Sequence, residues 1–109
     1  MAIKANIVID QGTTFQTSIN VTDDNDDIVN LTGYSAVAQM RKHFTSSNST
    51  SFVTSISPSI GVVTLSMTAN VTNLITAGRY VYDCELTDTN GAVTRLVEGI
   101  VTVTPGVTR

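Results

Sequence analysis

At 109 residues the chain is long enough for one compact domain and too short for two conventional ones. With 41% hydrophobic and 14% charged residues it can bury a core, which argues against a disordered chain. A formal net charge of −3 and a pI near 4.7 give the surface as a whole no attraction for nucleic acid. No run approaches the roughly 18 apolar residues of a membrane helix, and Met1 to Asn6 lack the apolar stretch of a secretory signal.

The residue types then choose a fold class. There are 14 Val, 9 Ile and 18 Thr against five Leu, two Lys and two Glu, so β-branched side chains abound and strong helix formers are scarce. One cysteine cannot form an internal disulfide, and one Cys with one His all but excludes a structural zinc site. The expectation is all-β: a two-sheet antiparallel sandwich of seven or eight strands. It forms a single domain over 1–109, with 1–5 and 106–109 as extended terminal arms.

In chain order, Asn6 to Asp10 reads as a short strand stopped by Gln11-Gly12. Thr13 to Thr22 is a longer one, with Phe15, Thr17, Ile19 and Val21 on one face. Asp23-Asp24-Asn25-Asp26-Asp27 breaks the alternation as a turn. Tyr34 to Lys42 carries Tyr34, Ala36, Ala38 and Met40 on one side, and His43 to Ser51 reads as a loop. Phe52 to Ile56 and the run Val63, Leu65, Met67 follow as strands. Thr68 to Ala77 is predicted as a short helix, with Val71, Leu74 and Ile75 inward and Gly78 as its stop. Arg79 to Thr87 alternates most cleanly, with Tyr80, Tyr82, Cys84 and Leu86 together. Asp88-Thr89-Asn90-Gly91 is a hairpin turn into Ala92 to Thr104, where Gly99 marks a bulge or a close backbone approach. The expected core comprises Phe15, Ile19, Val21, Leu65, Tyr80, Tyr82, Cys84 and Leu86.

Few residues offer chemistry. Asp23, Asp24, Asp26 and Asp27 are the candidate metal ligands, since hard cations take carboxylate oxygens from flexible loops. They lack the glycine and terminal glutamate of a helix-loop-helix calcium site, and a solvated loop is the better reading. Cys84 has no base tied to it, because His43 sits in a distant loop, so an inert buried thiol is expected. Asp83 and Glu85 share the outer strand face, opposite Arg95 across the hairpin. Arg41, Lys42 and His43 form the one basic cluster, without an aromatic platform for bases. Sequons begin at Asn20, Asn30, Asn48 and Asn70, where so Ser/Thr-rich a chain produces about two by chance. The expectation is no enzyme, no cofactor and no bound metal. A carbohydrate- or calcium-binding module using loop 23–27 is the alternative.

Two resemblances sharpen this. Gly78-Arg79-Tyr80-Val81-Tyr82-Asp83-Cys84 resembles the Tyr-x-Cys run on a late strand of immunoglobulin domains, with Tyr82 at the corner-tyrosine position. With no partner cysteine and no tryptophan, only the sandwich architecture is implied. Across most of the chain, an ordered series of short motifs is also similar to the small β-sandwich domain of tailed-bacteriophage virion proteins, the N-terminal domain of phage upper baseplate proteins. The series runs Gln11-Gly12-Thr13-Thr14-Phe15, Leu31-Thr32-Gly33-Tyr34, Ala38-Gln39-Met40-Arg41, Gly61-Val62-Val63-Thr64-Leu65-Ser66, Gly78 to Asp83 and Thr94 to Gly99. That resemblance implies a non-enzymatic virion subunit made in the host cytoplasm. It would decorate the capsid or dock on the tail or baseplate. Its partners would be coat, tail or baseplate subunits, in many copies on a symmetric lattice, with neither nucleic acid nor membrane.

Overall fold

Alternating apolar and short polar residues become nine strand segments in a computed structural model that describes residues 3–107. They are β1 (Ile3–Lys4), β2 (Ile7–Asp10), β3 (Phe15–Asn20), β4 (Ser35–Arg41), β5 (Thr50–Ser51), β6 (Val53–Ser57), β7 (Val62–Met67), β8 (Gly78–Thr87) and β9 (Val93–Thr104). One sheet has the order β1-β9-β8-β4-β5, with β2 continuing β1 along β9; the other is β3-β7-β6. This is a two-sheet β-sandwich, with the three-stranded layer facing the layer built on the β8–β9 hairpin. No helix among the described residues is long and apolar enough to cross a membrane.

The core is the dry seam between the layers. Ile9, Leu31, Val63, Leu65, Cys84 and Val101 have no exposed surface. Tyr82 and Leu86 are buried with them, while Phe15, Ile19, Val21 and Tyr80 pack against this core half-buried. Phe52 joins the layers, its ring centroid 6.1 Å from Phe15 and 6.0 Å from Tyr82. Such tilted and edge-on pairs suit the ring quadrupoles.

Four expectations need correction. The sandwich is not antiparallel throughout: β1 and β2 run parallel to β9, with Ile3 opposite Val97 and Ile7 opposite Val101. The chain must reach the end of the sandwich where β3 begins, and β9 already runs that way. Residues 3–5 are therefore part of a sheet, with the Ala5 N–H donating to the Glu98 carbonyl at 2.9 Å. Met1, Ala2, Thr108 and Arg109, which also belong to the expected arms, lie outside the described residues, while the Gly106 N–H donates to Gln11 Oε1 at 3.1 Å.

The helix expected over 68–77 is one turn, α1 (Ala69–Thr72). A single turn cannot offset its own nucleation, its N-cap makes no side-chain hydrogen bond, and Gly78 opens β8 instead of closing a helix. Consequently Leu74 is 85% exposed and Val71 is exposed too, so that of the expected stripe Ile75 alone is buried, with the fully buried Thr72 as the other inward residue.

The hairpin irregularity falls between Cys84 and Glu85, which face Val97 and Arg95 and leave Leu96 as the extra residue. Gly99 serves the other expected purpose, close backbone approach: a Cβ there would collide with the Ala5 carbonyl. Tyr82, directly opposite Gly99, donates its hydroxyl to that same carbonyl at 2.5 Å. Asn6 adds a third tie, its Oδ1 accepting the Ile100 N–H at 3.0 Å. The break between β1 and β2 is thus clamped from the centre of the sheet. The corner position belongs to Tyr80, whose hydroxyl donates to the Thr76 carbonyl four residues upstream at 2.6 Å, and not to Tyr82.

Candidate functional site

The acidic loop folds as a closed hairpin tip. Thr22 bridges Ile28, the Asp23 N–H donates to the Asp27 carbonyl at 2.9 Å, and the Asp26 N–H donates to the Asp23 carbonyl at 3.0 Å. Asp23 Oδ1 accepts the N–H groups of Asn25 (2.9 Å) and Asp27 (3.0 Å), so this carboxylate stitches its own loop. Among the described residues no three of His, Cys, Asp and Glu converge closely enough to hold a metal ion. Asp23, Asp24, Asp26 and Asp27 are all exposed.

The β8–β9 tip repeats the design. Asp88 Oδ1 accepts from Asn90 (2.8 Å) and Ala92 (2.9 Å), and the Gly91 N–H donates to the Asp88 carbonyl at 3.1 Å. Gly91 takes the left-handed φ of 85° that Asp26 takes at 62°. An Asp at the first position, an Asn at the third and a left-handed fourth residue build both loops. Nothing in this arrangement requires a cation.

Cys84 and His43 stay apart. The thiol is wholly buried opposite Ala38, and His43 lies beyond the end of β4, at least about 10 Å further along by strand rise. Burial first, then the neighbouring Asp83 and Glu85 carboxylates, push the thiol up to about 11, so it stays protonated and poorly nucleophilic. Burial, with Cys84 beside it, also raises Tyr82 above its ordinary range.

Two shallow depressions mark the surface. One, about 210 Å³, lies on the outer face of the larger sheet between Arg41, Phe44, Val81, Asp83, Arg95 and Glu98. Arg95 approaches Asp83 at 3.3 Å and Glu98 at 3.8 Å, an exposed network that contributes little stability. Arg41 instead donates to the Ser46 carbonyl at 2.7 Å and to Gln39 Oε1 at 3.1 Å, holding the 43–49 loop against the sheet. The second, about 350 Å³, lies under that loop beside Lys42, whose ammonium sits 5.0 Å from the Tyr80 ring centroid. Neither gathers a nucleophile with a base.

The features with most geometric content are the two flanks of the sandwich. On one flank the chain crosses between layers: β5 pairs with β4, the Phe52 N–H donates to the Ala38 carbonyl at 3.0 Å, and the next residue enters β6. The Thr54 hydroxyl donates to the Ala36 carbonyl at 2.9 Å, fastening β6 to β4. That flank is sewn shut. On the other, β3 is the edge of the small sheet, and the N-terminal segment that could have covered it is paired with β9. Among the described residues, only the Gln11–Thr14 turn joins the layers by hydrogen bonds on this side, at one end. The Gln11 side-chain amide donates to the Ile75 carbonyl at 2.8 Å, and Thr72 Oγ1 donates to the Thr13 carbonyl at 2.7 Å. The β3 sequence, Phe15-Gln16-Thr17-Ser18-Ile19-Asn20, has no charge, no proline and an unbroken register against β7. Charge, proline and a bulge normally blunt a strand edge, and β3 has none of the three.

Reading the residues in order identified the strand but not its exposure, because the destination of the N-terminal segment is a matter of topology. The one available signal was the absence of charge from Thr13 to Thr22.

No protein-family model and no curated protein matches this chain. Among solved structures it is similar to an internalin-like protein of Listeria monocytogenes, at 17% identity and a TM-score of 0.52. The match covers 94% of this chain and 28% of the other, so this chain spans under a third of that protein. The likeness establishes a shared sandwich fold.

Proposed function

We propose that this chain is a non-enzymatic docking domain that accepts an extended segment of a neighbouring protein along β3, as an accessory subunit of a bacteriophage virion. The observation that carries the docking mode is the open, uncharged edge Phe15–Asn20 on the one flank that the chain does not seal. An added strand would satisfy the outward backbone groups and cover the half-buried Phe15, Ile19 and Val21. The virion assignment is supported by the ordered run of short motifs from Gln11 to Gly99 that is similar to phage β-sandwich domains. Thr- and Ser-rich strands suit such a role, since short side chains lose little entropy on burial, and repetition on a lattice multiplies weak contacts.

The test is co-sedimentation of the purified chain with phage particles and with isolated coat, tail and baseplate subunits, alongside Ser18→Lys. Ser18 is exposed at mid-strand, so its replacement leaves the fold within about 0.5 kcal/mol while placing a charge on the edge. Binding that falls at least about tenfold in Ser18→Lys supports the reading. Binding unaffected by the substitution overturns the edge mode, and no binding to any virion component overturns the virion assignment.

A further inference from the structure

The two hairpin tips share one hydrogen-bonding plan but differ in one residue with a chemical consequence. In both, an exposed Asn is third in the loop and its successor's N–H donates to the carbonyl of the first Asp: Gly91 to Asp88 at 3.1 Å, Asp26 to Asp23 at 3.0 Å. The residue after Asn90 is glycine, with nothing within 4 Å of where a Cβ would be. The residue after Asn25 is Asp26, whose side chain shields its own amide nitrogen.

We infer that Asn90-Gly91 is a self-modifying site, a slow deamidation centre whose rate is governed by the Asp88 hydrogen bonds. The Gly91 amide nitrogen, once deprotonated, attacks Asn90 Cγ. The bond from Cγ to the side-chain nitrogen breaks, that nitrogen leaves with a proton as ammonia, and a five-membered imide remains. Water then opens one of the two imide C–N bonds, giving aspartate or isoaspartate. An amide has become a carboxylate with no electron transfer, and water is the only co-reactant.

The folded loop restrains the first step. The nucleophilic Gly91 N–H is engaged by the Asp88 carbonyl, and Asp88 Oδ1 pins Asn90 and Ala92 on either side at 2.8 and 2.9 Å. Attack therefore requires local opening of the tip, a low-energy event in an exposed hairpin end. The product adds a negative charge beside Asp88, and isoaspartate also lengthens the backbone by one carbon, which the loop hydrogen bonds cannot follow. Thr89, which lies 2.7 Å from where a Cβ on Gly33 would sit, carries that disturbance to the segment leading into β4. The site is a one-way switch at the end of the sandwich where the 88–91 tip approaches Gly33.

The experiment is incubation of the intact chain in mildly alkaline buffer, with deamidation located by peptide mapping and isoaspartate quantified enzymatically. Wild type, Asp88→Ala and Asn90→Ser are compared natively, and wild type also in urea. The expected result is modification at Asn90 and not at Asn25, faster by about tenfold or more both in urea and in native Asp88→Ala, and absent from Asn90→Ser. Equal rates in native wild type and native Asp88→Ala overturn the gate. Modification of Asn25 at a rate matching Asn90, or no faster reaction of Asn90 in urea, overturns the site itself.

Discussion

Thr72 is fully buried, yet its hydroxyl makes three hydrogen bonds that hold one end of the sandwich. Oγ1 donates to the Thr13 carbonyl at 2.7 Å with a longer contact to the Ala69 carbonyl at 3.2 Å, and accepts the Gly12 N–H at 3.1 Å. Thr72→Val keeps the shape and removes every one of them. Each orphaned buried group costs about 1–3 kcal/mol, and the low end applies because the Gly12 and Thr13 residues themselves are exposed. The extra buried methyl returns about 0.8 kcal/mol. Two groups are left without a partner, the Gly12 N–H and the Thr13 carbonyl, since the Ala69 carbonyl still accepts the Asn73 N–H. The net expectation is a loss of about 1 kcal/mol, which for a chain of this size lowers Tm by about 5 °C. Urea unfolding followed by circular dichroism measures it, with hydrogen exchange at Gly12 as the local reporter. Thr72→Ser, which keeps the hydroxyl, should retain Gly12 protection where Thr72→Val loses it. A Thr72→Val protein as stable as wild type, with Gly12 still protected, would refute the claim that this hydroxyl fastens the β2–β3 turn to α1.

Four further outcomes follow from the same geometry. Gly99→Ala drives a methyl into the Ala5 carbonyl and should cost at least about 2 kcal/mol, with amide protection lost first at Ala5 and Ile100, a pattern that exchange mass spectrometry resolves. Asp26→Gly relieves a left-handed non-glycine residue and should stabilise by about 0.5–1 kcal/mol, whereas Asp88→Ala removes two loop hydrogen bonds and should destabilise by about 1–2 kcal/mol, both read from urea midpoints. Cys84 should resist thiol reagents in the native state at pH 8 and react on unfolding. Its native thiol holds its proton up to about 11 against an ordinary 9.0, so its contribution to stability is present below pH 9 and is lost as pH climbs from 9 to 11. Cys84→Ala should flatten part of that alkaline decline in a pH series of melting curves, while the raised Tyr82 hydroxyl preserves the rest.

Strand identity was the most legible property, because it depends on a local period of two. Tyr80, Tyr82, Cys84 and Leu86 alternate so regularly with Arg79, Val81, Asp83, Glu85 and Thr87 that β8 and its facing residues could be placed to within one position. The hairpin at Asn90-Gly91 was equally plain, since few dipeptides supply a left-handed residue there. Helix length was less legible: Val71, Leu74 and Ile75 have helical spacing, but spacing records nothing about nucleation, and the segment makes one turn before the chain is drawn into β8.

What could not be read locally was every polar contact between distant segments, and these position the candidate edge. Gln11 looks like an ordinary turn residue, yet it spans 64 positions to Ile75 and 95 to Gly106. Tyr82 resembles a corner tyrosine, yet its hydroxyl reaches back 77 positions to Ala5 and fixes the N-terminal strand on β9. That commitment exposes β3. Had residues 3–10 paired with β3 instead, the small sheet would have had its edge covered and Gly99 no carbonyl to accommodate. The openness of β3 is therefore a consequence of Tyr82, Gly99 and Asn6 acting together on the far sheet, not of anything in Phe15–Asn20 itself. The strand's own contribution is what it omits: with no charge or proline to repel a partner, it leaves the edge that topology exposed ready to pair.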